Sequence, residues 1–270
     1  MRYGLLEALK RHWPEYLMEA AGLGIFMVSA VLFAAILEHP ASPVRRMIAD
    51  PLLRRALMGL AMGLTAIGII YSPWGQQSGS HLNPAVTFTF FRLGKIEPPD
   101  ALFYIMAQFA GGIAGVLLAQ AALGMLIAHP SVNYVVTVPG LAGPTVAFLA
   151  EVIISLGLML VVLIASNTRN LARFTGLFAG LLVATYITVE APLSGMSMNP
   201  ARTFGSALPA QIWAALWVYF SAPVLGMLLA GEFFRRLKRA GAVFRAKLHH
   251  HNSKRCIFRC RYQQLISSEA

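Results

Sequence analysis

Long apolar stretches alternate with short polar ones along this chain, at roughly residues 16-37, 56-72, 101-127, 145-166, 174-190 and 212-233. The apolar residues are gathered into uncharged runs and are not dispersed with the surface-and-core period of a soluble fold. Each run approaches the ~20 helical residues that cross bilayer hydrocarbon. All six are expected as helices, because backbone polar groups in lipid must be satisfied within their own segment. The two shortest runs, 56-72 and 174-190, lead into odd segments, 73-92 and 191-209, that contain Gly, Ser, Asn and Pro yet stay uncharged over many residues.

Composition agrees with this pattern. The 270 residues are 57% hydrophobic and only 12% charged, with a mean hydropathy of +0.63, whereas a soluble domain is roughly a quarter charged. This excludes a disordered chain and points to an all-α, multi-spanning membrane protein. The formal charge of +11 looks like a nucleic-acid signal until the 22 Lys and Arg are located, because ten of them lie between Arg235 and Arg261, after the last apolar run. A basic tail beside a membrane reads as a topology determinant or an anionic-lipid contact, with no nucleic-acid partner. The two cysteines, Cys256 and Cys260, sit in the same tail, so no disulfide framework is expected. With His249, His250 and His251 they match no zinc spacing, so a solvated tail with no metal and no cofactor is expected. Glu7 and Glu15 precede the first apolar run with no small-residue cleavage site, so no cleaved signal peptide is expected.

Six spans put both ends of the chain on one side. That side collects 17 Lys and Arg and the other five, Arg45, Arg46, Arg54, Arg55 and Arg202, so the positive-inside bias predicts cytoplasmic termini. The four arginines between spans one and two run against the bias locally and imply only a long external loop. Brief loops in a short chain suggest a prokaryotic inner membrane.

The two halves repeat. Tyr16-Leu17-Met18-Glu19 opens span one as Phe148-Leu149-Ala150-Glu151 opens span four; Asn83-Pro84-Ala85 recurs as Asn199-Pro200-Ala201; and Gly115 matches Gly226. Three crossings per half force the second half to enter from the opposite face, which makes an inverted repeat with its site at the repeat interface near the midplane. The organisation expected is an N-terminus (1-15), a first repeat (16-128) with a half-helix at 83-92, a second repeat (129-234) with a half-helix at 199-208, and a basic cytoplasmic tail (235-270).

Asn is a preferred N-cap and Pro fits the first helical position, so each Asn-Pro-Ala starts a helix. Ten or eleven residues at about 1.5 Å each reach about half the hydrocarbon thickness. Two such half-helices from opposite faces meet N-terminus to N-terminus. The segments before them, Ser78-Gly79-Ser80-His81 and Ser194-Gly195-Met196-Ser197, become re-entrant backbone, which is tolerated at depth only where it lines an aqueous path or is buried in protein. A pore is therefore expected.

Over roughly residues 10-235 the chain resembles an aquaporin of the major intrinsic protein family, of bacterial type. The resemblance rests on Ser78-Gly79-Ser80-His81-Leu82-Asn83-Pro84-Ala85-Val86-Thr87 and Gly195-Met196-Ser197-Met198-Asn199-Pro200-Ala201-Arg202-Thr203-Phe204-Gly205. It implies six helices plus two half-helices, one pore per protomer, and a homotetramer. Half-helix N-termini carry about +0.5 charge each, which repels cations and spares neutral molecules. Asn83 and Asn199 are expected to accept from their own helices and to turn their amide NH2 toward the lumen.

Arg202 in an otherwise almost uncharged stretch is costly unless it faces water, and it resembles the family's outer-filter arginine. Counting from the motifs gives it Ile187, Met196 and either Met62 or Gly63 as neighbours. Water-selective members usually carry His at the Ile187 place and an aromatic at the span-two place, and glycerol facilitators usually carry Asp where Thr203 stands, so this filter follows neither pattern. Glu19 and Glu151 are read as structural acids that accept from the N–H groups of the re-entrant loops, and Gly79, Ser80, His81, Gly195 and Ser197 as loop residues lining the pore. His81 either gates or braces its loop; Glu190 either braces Arg202 or ends span five. Gly111, Gly112, Gly115 and Gly226 read as sites of close helix packing. With no nucleophile-base pair in the spans an enzyme is not expected. The function expected is a passive water channel that excludes ions and protons; the alternative is a channel for glycerol, urea or ammonia, with an ion-coupled transporter behind both.

Overall fold

A computed structural model describes residues 3–237, 243–249 and 253–261. The described residues contain helices and no strand. Six helices are long and apolar enough to span a membrane. They are α1 (Leu5–Glu38), α2 (Pro51–Tyr71), α4 (Pro98–Leu123), α5 (Gly143–Ser166), α6 (Thr175–Val189) and α8 (Leu216–Leu237). Two half-helices complete the set, α3 (Pro84–Arg92) and α7 (Pro200–Ala210). His250 and His251 lie outside the described residues.

The half-helices start where cap chemistry dictates. The Asn83 side chain accepts from the Ala85 N–H at 2.8 Å, and the Asn199 side chain from Ala201 at 3.0 Å and Arg202 at 3.2 Å. Proline occupies the first position of both, where its missing N–H would have had no intrahelical partner. α1 differs from its apolar run: it begins at Leu5, not near residue 16, because the run marks only the hydrocarbon crossing while Glu7, Lys10 and Arg11 continue the helix beyond it.

The repeat governs the packing. α1 pairs with α4 as α5 pairs with α8, and α2 pairs with its own repeat mate α6. A Cβ on Gly115 would stand 2.4 Å from the Gly24 carbonyl oxygen, and one on Gly226 would stand 2.4 Å from that of Val152. The same close approach thus occurs once in each half, as small-residue packing between membrane helices requires. α2 and α6 meet through Gly63 and Gly180, where a Cβ on either would fall 2.6 or 2.7 Å from the other's carbonyl oxygen. Outward, Leu17, Leu118, Leu149 and Ile153 form part of an exposed apolar belt.

One face of the bundle, termed the terminal face, carries the first and last described residues, Tyr3 and Arg261. On the opposite face the end of the loop after α1 is tied to α2 through Arg54. Arg54, 4% exposed, bonds Glu38 at 3.1 Å and the Ile48 and Ala49 carbonyls at 2.8 Å, and Arg55 donates to the Thr188 carbonyl at 2.8 Å. Each of these two arginines is held by the protein's own acceptors.

Overpacking a helix contact costs about 1–3 kcal/mol. Gly226→Val is therefore expected to lower the thermal unfolding midpoint in detergent, while Gly68→Val, whose Cβ would meet nothing within 4 Å, is expected to leave it in place. Equal midpoints for the two variants would contradict the close approach.

Candidate functional site: a pore between two half-helices

The re-entrant segments follow the same path with an offset of 116 residues. Gly79, Ser80 and Leu82 take left-handed backbone (φ 97°, 52° and 51°), as do Gly195, Met196 and Met198 (φ 79°, 51° and 54°). Backbone of this kind cannot form helix bonds, and a buried carboxylate supplies the acceptors in each half. Glu19 accepts from the Ser78 hydroxyl (2.8 Å), the His81 N–H (3.0 Å) and the Leu82 N–H (2.6 Å). Glu151 accepts from the Ser194 hydroxyl, the Ser197 N–H and the Met198 N–H, each at 2.7 Å. Tyr104 and Tyr219 repeat the symmetry by donating to the Ser78 and Ser194 carbonyls at 2.8 and 2.6 Å. Gln108, at 2.9 Å from Glu19, serves only the first half among the bonds found.

At the centre the two loops are tied to each other. The Asn83 amide donates to the Met198 carbonyl and the Asn199 amide to the Leu82 carbonyl, both at 2.7 Å. This corrects the expectation of an NH2 turned wholly to the lumen: one of its two protons crosses to the opposite loop, and the other is left for the cavity.

A cavity of about 460 Å³ passes both asparagines. Near the opposite face its wall includes Glu38, Arg54 and Arg55; then come Met62, Ile187, Met196 and Arg202; then Asn199 and Asn83; and toward the terminal face Ser80, His81 and Leu248. Gly195 and Ser197 also line it. Of the two candidates in α2, Met62 is in the wall and Gly63 is not, because Gly63 is spent on the contact with α6. Gly79 is likewise absent from the wall, and a Cβ added to it would stand 2.9 Å from Lys247 Cγ and 3.0 Å from the Phe258 ring. Pro84, Ala85, Pro200 and Ala201 are buried and start their half-helices, with the lumen left to the asparagines.

Arg202 Nη1 is buried without a hydrogen-bond partner among the described residues. A guanidinium donor unmet by protein in a cavity wall is free for a polar molecule passing it. Thr203 does not face the lumen; its hydroxyl lies 2.6 Å from that of Ser197 and 2.7 Å from that of Thr137. Glu190 ends α6 and makes no bond to Arg202.

His81 is 3% exposed. Its Nε2 donates to the Ala246 carbonyl at 2.6 Å, which leaves Nδ1 to accept from the Thr87 hydroxyl at 3.1 Å. The tail containing Ala246 is not solvated as expected: Val243, Ala246, Leu248 and Phe258 are buried, and Lys247 is 1% exposed. Burial pushes the Lys247 ammonium below its ordinary value, and the hydrogen bond with Cys256, together with burial, pushes the Cys260 thiol up. Sequence reasoning missed this segment because the ten basic residues between Arg235 and Arg261, six of them within 243–261, read as a solvated run. Among the described residues no three metal-ligating side chains cluster.

Six long apolar helices in two inverted halves, with two half-helices meeting at a lined cavity, define a polytopic helical membrane protein. The sequence pattern of the major intrinsic protein family matches residues 9–234, and the chain belongs to that family. Relatives include a probable NIP-type aquaporin of Nicotiana alata, 37% identical over 180 residues (66% of this chain, 64% of the relative), and aquaporin NIP6-1 of Arabidopsis thaliana, 36% identical over 174 residues (64% and 55%). The matched stretch thus spans less than two thirds of either relative's length. Among solved structures, the aquaglyceroporin from Plasmodium falciparum shares the fold at a TM-score of 0.69 and 21% identity, over 84% of this chain and 96% of that one.

Each donor bonded to Glu19 or Glu151 loses an acceptor worth about 1–3 kcal/mol if the carboxylate is removed. Glu19→Ala and Glu151→Ala are each expected to lower the thermal unfolding midpoint by more than Gly226→Val does. Thermal unfolding in detergent checks this, and a midpoint equal to wild type for either would remove its assigned role as a loop anchor.

Proposed function

We propose that the chain is a passive transmembrane channel for water that excludes ions and protons. The observation that carries the reading is the cavity running between two half-helix N-termini and past both asparagine amides. The two helix ends place about +0.5 charge each at the centre, so a cation is repelled there while a neutral molecule accepts from the amides. In this reading Arg202, Ile187, Met196 and Met62 form the selectivity filter, with Arg202 as fixed donor and charge. Ser80, His81, Gly195 and Ser197 line the loops, and Glu19 and Glu151 hold them.

A second reading, a channel for glycerol, urea or ammonia, is favoured by one observation. Three of the four filter side chains are apolar and none is aromatic, so the filter offers a single strong donor on an apolar wall. The relatives' names, aquaporins, agree with a channel. The terminal face is assigned to the cytoplasm from the excess of Lys and Arg on that side. A homotetramer and a contact of the basic residues with anionic lipid complete the proposal. Brief loops are the ground for a prokaryotic inner membrane; the relatives named above are plant proteins and lend that placement no support.

Vesicle shrinkage by stopped flow, with the full chain and with a chain ending at Leu237, tests the reading. Water permeability above that of empty vesicles with a low activation energy is expected. Asn199→Asp, which removes the donor to Leu82, is expected to reduce it about tenfold, the rate equivalent of one bond of about 1.4 kcal/mol. No flux of water, glycerol, urea or ammonia from either chain, or saturable ion-driven uptake, would overturn it.

A further inference from the structure

The cavity reaches the terminal face only to meet residues 243–249 and 253–261 lying across it. Leu248 is part of its wall. The Leu248 N–H donates to the Gly79 carbonyl at 3.1 Å, and the Ala246 carbonyl takes the His81 Nε2 proton at 2.6 Å. Both are polar groups that the mouth would otherwise offer to water, and the segment occupies them. Phe258 stacks on the His81 ring, centroids 5.1 Å apart at 11°, so the histidine is covered on one face by the segment and on the other by Phe90.

Anchors surround the mouth. Lys247 Nζ donates to the Gln76 carbonyl at 3.0 Å and to Arg255 within the segment at 2.7 Å. Arg255 bonds Glu15 of α1 at 3.0 Å; Arg259 bonds Glu97 and, through its N–H, the Lys95 carbonyl, both at 2.9 Å; and Phe244 N–H donates to Asn167 after α5. The Arg255 and Arg259 side chains are 49% and 44% exposed. Their partners Glu15 and Glu97 are 0% and 4% exposed with the segment in place, so release of these two latches requires that water enter the mouth and reach the carboxylates as the segment lifts.

We propose that residues 243–249 and 253–261 form a built-in plug that closes the terminal-face mouth of the pore, and that their withdrawal opens the channel. The plug rests on the channel reading above. His81 is its receptor inside the mouth, Leu248 its stopper, and Arg255 and Arg259 its latches to Glu15 and Glu97.

The test compares water permeability per channel in vesicles holding the full chain, the chain ending at Leu237, or the full chain with Arg255→Glu/Arg259→Glu. Detergent-solubilised samples are first checked for folding by circular dichroism and size exclusion. About a tenfold rise is expected on truncation, corresponding to roughly one open channel in ten for the full chain. A rise is also expected for the double variant, which keeps the full length of the chain and removes only the two latches. A synthetic peptide of residues 243–261 added to the truncated channel is expected to return the flux toward the full-chain value and to leave the full chain unchanged. Equal flux from folded full-length, truncated and double-variant chains overturns the plug and leaves the channel standing. No flux from any of them overturns both.

Discussion

Inside a bilayer a chain that leaves the helix must find partners for the backbone groups it releases. Two segments do so here, 78-83 and 194-199, and the structure rests on the two carboxylates that receive them. Glu19 and Glu151 each accept from one hydroxyl and two consecutive backbone N–H groups. The magnitudes show why that suffices. Each non-glycine residue in left-handed backbone costs about 1–2 kcal/mol, and each half contains two, Ser80 and Leu82 or Met196 and Met198. Bonds to a charged acceptor contribute about 1.5–3 kcal/mol apiece, and three of them offset the strain. With the loops held, their asparagines can reach across and tie the halves together.

The skeleton is symmetric and the lining is not. Ser80 stands where the other half has Met196, and His81 where it has Ser197. The pore therefore has two unlike ends built on one backbone path. Toward the opposite face the wall carries Arg202 beside apolar side chains, and beyond it Arg54 and Arg55. Toward the terminal face it carries a histidine whose ring nitrogens are both in use. Symmetric anchoring with asymmetric lining is what an inverted repeat permits, since the carboxylates bond to backbone and leave the loop side chains free to differ.

Much of this was legible in the sequence because it depends on local chemistry. Apolar run length marks the spans, Asn followed by Pro marks the half-helix starts, and Glu at matched places in spans one and four marks the anchors. What depends on rotation or on distant partners was not. Whether Met62 or Gly63 faces the lumen is set by how α2 turns to bring Gly63 against Gly180, which no spacing to the asparagines reveals. The tail was read as solvated because its latches are far apart in sequence: Arg255 meets Glu15 across 240 residues and Arg259 meets Glu97 across 162. Glu15 was legible only as a charge before the first span, with nothing local to name its partner.

The same kind of bond thus serves two ends in one molecule, and the availability of water separates them. At the centre, a carboxylate released from its N–H groups would find no replacement, so Glu19 and Glu151 fix a frame that cannot open without unfolding. At the rim, Arg255 and Arg259 are half in solvent, and water that follows the lifting segment can take their place on Glu15 and Glu97, which are buried only while the segment covers them. His81 lies between the two regimes. Its N–H on the backbone side belongs to the frame through Glu19, while its ring Nε2 belongs to the rim through Ala246. A side chain so placed can lose its outer partner without disturbing its inner one, which is the physical condition for a mouth that opens while the pore behind it keeps its shape.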